Sequence, residues 1–278
     1  MSGTTTRRLS KSVTALISAF GLGVGGLAFG FLLLSITGAV LLALGQQPTL
    51  SLSIVLSLVF IQGVGCTCVA LAYLRARPRL GGRPWSSLGI DVENREFSIP
   101  AAVPSVREVG MVVAGYFAAF VGIAMASAVR SLLVPNVETG RNQVIDRAFE
   151  QPDVLLILIP ASFLIIGPGE ELLFRGVVQG RLGEVFSTPV AVGLASVLFA
   201  SVHWFALSGG SAAGNLLLLA ILTIPAVILG VSYECSGNIV VPALIHGAYN
   251  ATIFTLIYVA IVYGGLASGA ATVFVLLP

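Results

Sequence analysis

Long apolar runs alternate with short polar breaks along this chain, and the lengths of the runs are those of helices crossing a bilayer. A span needs about 20 mostly apolar residues to cross ~30 Å of hydrocarbon. The stretches that qualify are Val13–Leu44, Leu50–Tyr73, Val109–Val134, Val154–Val178, Pro189–Leu207, Asn215–Tyr233 and Ile239–Tyr263. The tail from Leu266 to Pro278 is apolar but short for a full crossing, so the pattern predicts seven to eight transmembrane helices. No period-2 alternation with turn signals recurs, which does not support a β-barrel. The expected fold class is all-α, a polytopic integral membrane helical bundle.

Arg7, Arg8 and Lys11 precede the first run, an arrangement that superficially resembles a signal peptide. The run is far longer than a ~7–15-residue signal core, so it reads as a retained first helix, tilted or kinked at glycine. Two longer polar segments separate the spans, Arg75 to Arg107 and Asn136 to Asp153. The arginine-rich start of the first of these and the basic N-terminus both read as cytoplasmic by the positive-inside rule. Two crossings between them keep that assignment self-consistent. The expected location is the cell membrane, multi-pass, with the N-terminus cytoplasmic. The whole chain, 1–278, reads as a single membrane domain: 1–152 supplies additional helices and loops, and 153–252 holds the residues with chemical potential.

Composition narrows the class further. Hydrophobic residues make up 56% of the chain and charged residues 9%, with a mean hydropathy of +1.01. Soluble domains average about 25% charged residues, so the lipid bilayer is the expected partner. A net charge of +2 is too small to suggest nucleic acid. Cys66, Cys68 and Cys235 do not form a disulfide framework, and the C-x-C pair alone is a weak metal signal; packing is the simpler role.

Against this background the ionisable residues at membrane depth stand out, because each costs at least ~2.5–3.5 kcal/mol there unless paired or hydrated. The fourth span has Glu170, Glu171 and Arg175, the fifth His203 after Phe199, and the seventh His246 and Asn250. The two histidines are the only ones in the chain. Glu171 and Arg175, Phe199 and His203, and His246 and Asn250 are each i, i+4, so each pair shares a helix face. Phe186-Ser187-Thr188-Pro189 predicts a turn and a helix start, with Ser187 or Thr188 as cap and Pro in the first turn. Glu170 lies 16 residues before Phe186, and His203 lies 16 after Ser187. If both arms are helical and antiparallel, the two side chains sit at matching heights, about 24 Å from the turn at ~1.5 Å per residue, where they can share a water. A bland alternative stands beside this. Gly167-Pro168-Gly169 would break the helix, the carboxylates would occupy a new first turn, Arg175 would neutralise Glu171, and the histidines would be hydrogen-bonded packing residues.

Taken together, Glu170-Glu171-x-x-x-Arg175, Phe199-x-x-x-His203 and His246-x-x-x-Asn250 resemble the motifs of the CAAX-protease and bacteriocin-processing (CPBP) family of intramembrane endopeptidases. The resemblance runs from about Asp153 to Thr252. It implies a helical bundle enclosing a polar intramembrane cavity, and hydrolysis of a peptide bond in a membrane-associated protein or peptide, lipidated or not. Peptide hydrolysis needs an activated water, oxyanion stabilisation and a proton for the leaving amine. Glu170 is then the candidate general base, with His203 holding or deprotonating the water. His246 and Asn250 suit the oxyanion hole, while Arg175 and Phe199 support the site and Arg175 keeps Glu171 ionised. No serine or cysteine sits in a nucleophile–base pairing. The favoured expectation is no cofactor. The same Glu170, His203 and His246 are also a zinc ligand set with an open position for water, although the compact His-Glu-x-x-His signature is absent. Non-proteolytic alternatives are an ion-coupled carrier, which would favour inverted repeats that are not seen, and a scaffold or immunity protein.

Overall fold

The computed structural model describes residues 11–80 and 97–264. Helix dominates it: α1 (Lys11–Ala43), α2 (Leu50–Pro78), α3 (Val106–Leu133), a short α4 (Gln143–Glu150), α5 (Val154–Gly183), α6 (Thr188–Ala206), α7 (Ala212–Ser236) and α8 (Val240–Val262). All but α4 are long and apolar enough to cross a membrane, which makes seven. Among the described residues the only sheet is the antiparallel pair β1 (Arg141–Asn142) and β2 (Leu207–Ser208). The all-α polytopic bundle expected from the hydropathy pattern is what forms. The apolar tail 266–278, a candidate eighth span, lies outside the described residues.

The helices match the apolar runs closely at most ends and overrun them where polar residues cap or extend a span. α3 starts at a capping box: the Ser105 side chain accepts from Glu108 N–H, and Glu108 reaches back to Ser105 N–H. That satisfies two otherwise orphaned amides. α1, at 33 residues, is about 50 Å long at 1.5 Å per residue, so it tilts in or projects from a ~30 Å core. Ser187 precedes α6 with an extended backbone and Pro189 in the first turn, as the turn motif predicts, although its side chain makes no capping bond.

Each long helix reverses the chain, so one face of the bundle gathers the starts of α1, α3, α6 and α8 with the ends of α2, α5 and α7. Contacts tie that face together. Arg77 and Arg181 both pair with Glu184, Arg181 Nε donates to Ser18 Oγ at 3.1 Å, and Asn238 bridges to Ala102 and Glu108. On the opposite face sit α4 and the β1–β2 pair. There Arg141 pairs with Asp146 at 2.9 Å, Gln143 donates to the Phe205 and Leu207 carbonyls, and Gln151 donates to Ser51 at 2.9 Å.

Two large apolar clusters, with two smaller ones beside them, fill the interior. One joins α5, α8 and α3 with α4 on its own side. The other joins α1, α2, α6 and the second half of α5 towards the arginine-bearing face. Water-driven burial does not hold helices together in lipid, so close packing must. α1 and α2 achieve it through glycine: a Cβ on Gly65 would meet Gly26 O at 2.5 Å and Gly30 Cα at 3.1 Å. Gly65→Val is therefore expected to lower stability by about 1–3 kcal/mol through overpacking, seen as a lower Tm in detergent. Gly21→Ala, whose added Cβ meets nothing within 4 Å, is expected to leave Tm unchanged.

Candidate active site

The site begins with an irregularity in α5. Pro160 and Pro168 each remove an N–H from the helix ladder, which costs a regular α-helix a hydrogen bond and invites a kink. Instead the helix changes pitch. Ser162–Ile166 and Leu172–Gln179 are π-helical on either side of Gly167–Glu171, and Gly167 N–H donates five residues back to Ser162 O. In membranes such local adjustments re-satisfy backbone groups that proline frees, and π turns often occur at functional sites. The helix break considered for Gly167-Pro168-Gly169 does not occur. The glycines serve another purpose. A Cβ on Gly169 would meet Gln62 O of α2 at 2.5 Å, and one on Gly167 would meet Ala243 O of α8 at 2.7 Å. Small residues thus bring three helix backbones together at the level of the carboxylates.

The adjacent glutamates turn to different surroundings. Glu171 and Arg175 are both 0% exposed, with Nε and Oε2 3.1 Å apart; the angle makes this an ion pair rather than an aligned hydrogen bond. The other Glu171 oxygen, Oε1, lies 2.8 Å from His246 Nδ1. The Arg175 guanidinium carbon stands 4.7 Å from the centre of the Phe199 ring, a cation–π contact in a desolvated setting. Phe199 also meets Phe174 edge to face at 5.1 Å, His203 at 4.7 Å and His246 at 5.9 Å. The phenylalanine of the second motif is therefore the hub on which the arginine and both imidazoles rest.

Glu170, by contrast, lines a cavity of about 480 Å³ together with His203, His246, Asn250 and Phe199. Its Oε2 is buried and has no hydrogen-bonding partner. His203 Nδ1 lies 2.8 Å from the Phe199 main-chain oxygen. A carbonyl only accepts, so Nδ1 carries the proton and Nε2 keeps its lone pair. Phe174 and Phe199 are equally far from the α5–α6 turn and touch, which aligns the two helices as the equal 16-residue spacings anticipate. All seven residues singled out in sequence come together: four on the cavity with Phe199, and Glu171 and Arg175 behind it. Glu171, which the sequence reading paired with Arg175 alone, also orients His246.

Several cavity residues escaped the sequence reading. Gln62 of α2 is the lone amide within an apolar run, and its Oε1 is buried without a partner; that isolation was the available signal. Asn142, Gln143 and Arg147 line the outer part of the same cavity, but nothing local in the 136–153 segment distinguishes them from an ordinary polar loop.

Zinc was the alternative occupant for Glu170, His203 and His246. Among the described residues no three His, Cys, Asp or Glu side chains are gathered as a metal ion requires. The three share a cavity wall, and both histidines are held through Nδ1, which leaves Nε2 as the nitrogen that faces a water or an ion.

Comparison with known proteins supports the resemblance read from the motifs. Residues 152–252 match the family model described as type II CAAX prenyl endopeptidase Rce1-like, consistent with the CPBP family and with a CAAX-type intramembrane protease at family level. A Bacillus subtilis (strain 168) protein named "Uncharacterized protein YpbD" is 36% identical over 83 residues. That match covers 30% of this chain and 36% of the relative, so the chain aligns with only about a third of that protein's length. No solved structure matches the chain.

The buried pair makes a stability prediction. Removing one partner of a buried ion pair costs about 3–5 kcal/mol because the other charge is stranded, whereas an apolar replacement of both is often neutral. Glu171→Ala is expected to lower thermal stability by that order in detergent. The double variant Glu171→Ala, Arg175→Met is expected to recover most of the loss.

Proposed function

Starting from the CAAX-endopeptidase-like segment, we propose that the chain is an intramembrane endopeptidase that hydrolyses a peptide bond of a membrane-associated protein or peptide by glutamate-activated water. The observation that carries this reading is that Glu170, His203, His246 and Asn250, from three different helices, line one cavity inside an apolar bundle. Water adds to the scissile carbonyl carbon as Glu170 takes its proton through the unpartnered Oε2. His203, with Nδ1–H committed to the Phe199 carbonyl, accepts from the same water through Nε2. The carbonyl π electrons move onto oxygen, and Asn250 donates its amide N–H to that oxyanion without titrating. His246, when protonated, donates from Nε2 to the same oxygen while Glu171 balances its charge. As the tetrahedral species collapses, the C–N bond breaks and Glu170 returns its proton to the leaving amine.

Arg175 and Phe199 act through their neighbours in this scheme. Arg175 holds Glu171 in place, Glu171 sets the ring of His246, and Phe199 fixes both imidazoles. They are positioning residues. The seven membrane helices mean that a bilayer surrounds the cavity, so the substrate reaches it from the membrane or its surface. Removal of a lipidated C-terminus is one form the reaction takes among CAAX-type proteases; an unmodified membrane peptide fits the same groups.

In purified protein presented with a membrane-peptide substrate, Glu170→Gln and His203→Ala are each expected to reduce turnover by about 10²–10⁴-fold, the usual contribution of general acid–base catalysis. Asn250→Ala is expected to lower kcat by about 10²–10³-fold, as for loss of one oxyanion donor. Circular dichroism should stay that of the parent in each case. Normal turnover by the Glu170 variant would overturn the hydrolytic reading. Activity is expected to survive exhaustive chelation; its loss on chelation and return with added zinc would replace metal-free chemistry with a zinc mechanism. Comparing membrane-protein termini between cells carrying the parent and Glu170→Ala chains would identify the clients.

A further inference from the structure

We infer that the cavity opens on the extracytoplasmic side of the membrane, so that the peptidase takes substrates whose scissile bond approaches from outside the cell. The substrate half of this statement rests on the proposed hydrolytic function; the orientation half does not. Two independent observations carry it, the lopsided shape of the cavity and the lopsided distribution of arginine.

The cavity is closed towards one face of the bundle and continues to the other. At the arginine-bearing face the second half of α5 is packed solid: Leu173, Val177 and Val178 are fully buried among α1, α2 and α6. Beyond them Arg77, Glu184 and Arg181 close the end of α5 with ion pairs. The cavity wall has no residue from the helix ends on that side. Towards the opposite face the wall extends through Ser53 at the start of α2 to Asn142, Gln143 and Arg147 beside α4. Those three give the mouth a polar, cationic rim. Gln143 holds the start of α4 against the end of α6 through the Phe205 and Leu207 carbonyls at 3.1 and 3.2 Å. A volume near 480 Å³ lies within the ~300–1,000 Å³ typical of ligand clefts, enough for a short stretch of peptide leading from the rim to Glu170.

Charge tells which face is which. Arg7, Arg8 and Lys11 lead into α1, and six arginines run from Arg75 to Arg107: Arg79, Arg83 and Arg95 in the segment that joins α2 to α3, and Arg75, Arg77 and Arg107 in the adjoining helix ends. On the α4 side the segments joining helices contain Arg141 and Arg147, with Arg130 at the end of α3. Lys and Arg in short connecting segments bias that side to the cytoplasm. The closed face is therefore cytoplasmic, and the open mouth lies outside. A peptide modified or displayed only in the cytosol would meet the closed end.

The test uses cysteine labelling in intact cells expressing the full chain, with a membrane-impermeant maleimide and site-by-site mass spectrometry. Native Cys235, exposed near the end of α7, marks the closed face. Glu150→Cys, at the end of α4, marks the open face, and Ser53→Cys marks the cavity wall; neither residue belongs to the catalytic set. The expected result is that both introduced cysteines label in intact cells to the level seen after permeabilisation. Cys235 is expected to stay at background until the membrane is permeabilised. Labelling of Cys235 in intact cells, with Glu150→Cys protected, would reverse the orientation and overturn the inference. Labelling of Glu150→Cys without Ser53→Cys under either condition would show that the cavity does not open to water on that side, and would overturn it as well. Because no readout depends on cleavage, a failed labelling pattern is distinct from a failed peptidase.

Discussion

Charge within hydrocarbon is the constraint around which the second half of this molecule is organised. Glu171 and Arg175 are both sealed from solvent, where an isolated charge would force the helix out of the membrane or out of its fold. Each is tolerated because the other is one helical turn away, with further contacts from Glu171 to His246 and from Arg175 to the face of Phe199. α5, α6 and α8 are linked by this one group of side chains. Moving any of the three helices by a fraction of a turn would strand a charge.

That buried group stands behind the catalytic candidates and differs from them in kind. Glu170 has the same side chain as its neighbour and sits one residue away, yet it faces the cavity with an unpartnered oxygen while Glu171 is ion-paired with Arg175 and in contact with His246. In a helix, consecutive residues point about 100° apart, so an adjacent pair of carboxylates naturally divides between two environments. One orients the imidazole; the other is left to act on a substrate. The π-helical turns and the glycines at 167 and 169 are what let α2, α5 and α8 approach closely enough for this division to occur beside a cavity rather than beside lipid.

Much of the architecture was legible from hydropathy, because a bilayer imposes both a length and a composition on every crossing. The α5–α6 hairpin was legible too, since equal spacing from a proline-marked turn sets the levels of Glu170 and His203. The reading failed at Gly167-Pro168-Gly169, where local propensity argues for a break. In lipid a broken helix would expose backbone groups with no water to satisfy them, so the chain re-registers its hydrogen bonds instead. The cavity's outer wall was also hidden. Asn142, Gln143 and Arg147 look like ordinary loop residues until α4 and the β1–β2 pair carry them to the mouth.

By itself the sequence determined the membrane class, the positions of seven long crossings, where along the chain arginine concentrates and the small set of polar residues stranded at depth. Those follow from transfer free energies and helical periodicity, which act on each segment independently. Only the tertiary structure decided which glutamate faces the cavity, which pairs with arginine and histidine, and towards which face the cavity runs. Those depend on how helices distant in the chain rotate and tilt against one another, and that is set by backbone contacts at glycine and by the pairing of buried charge across helices.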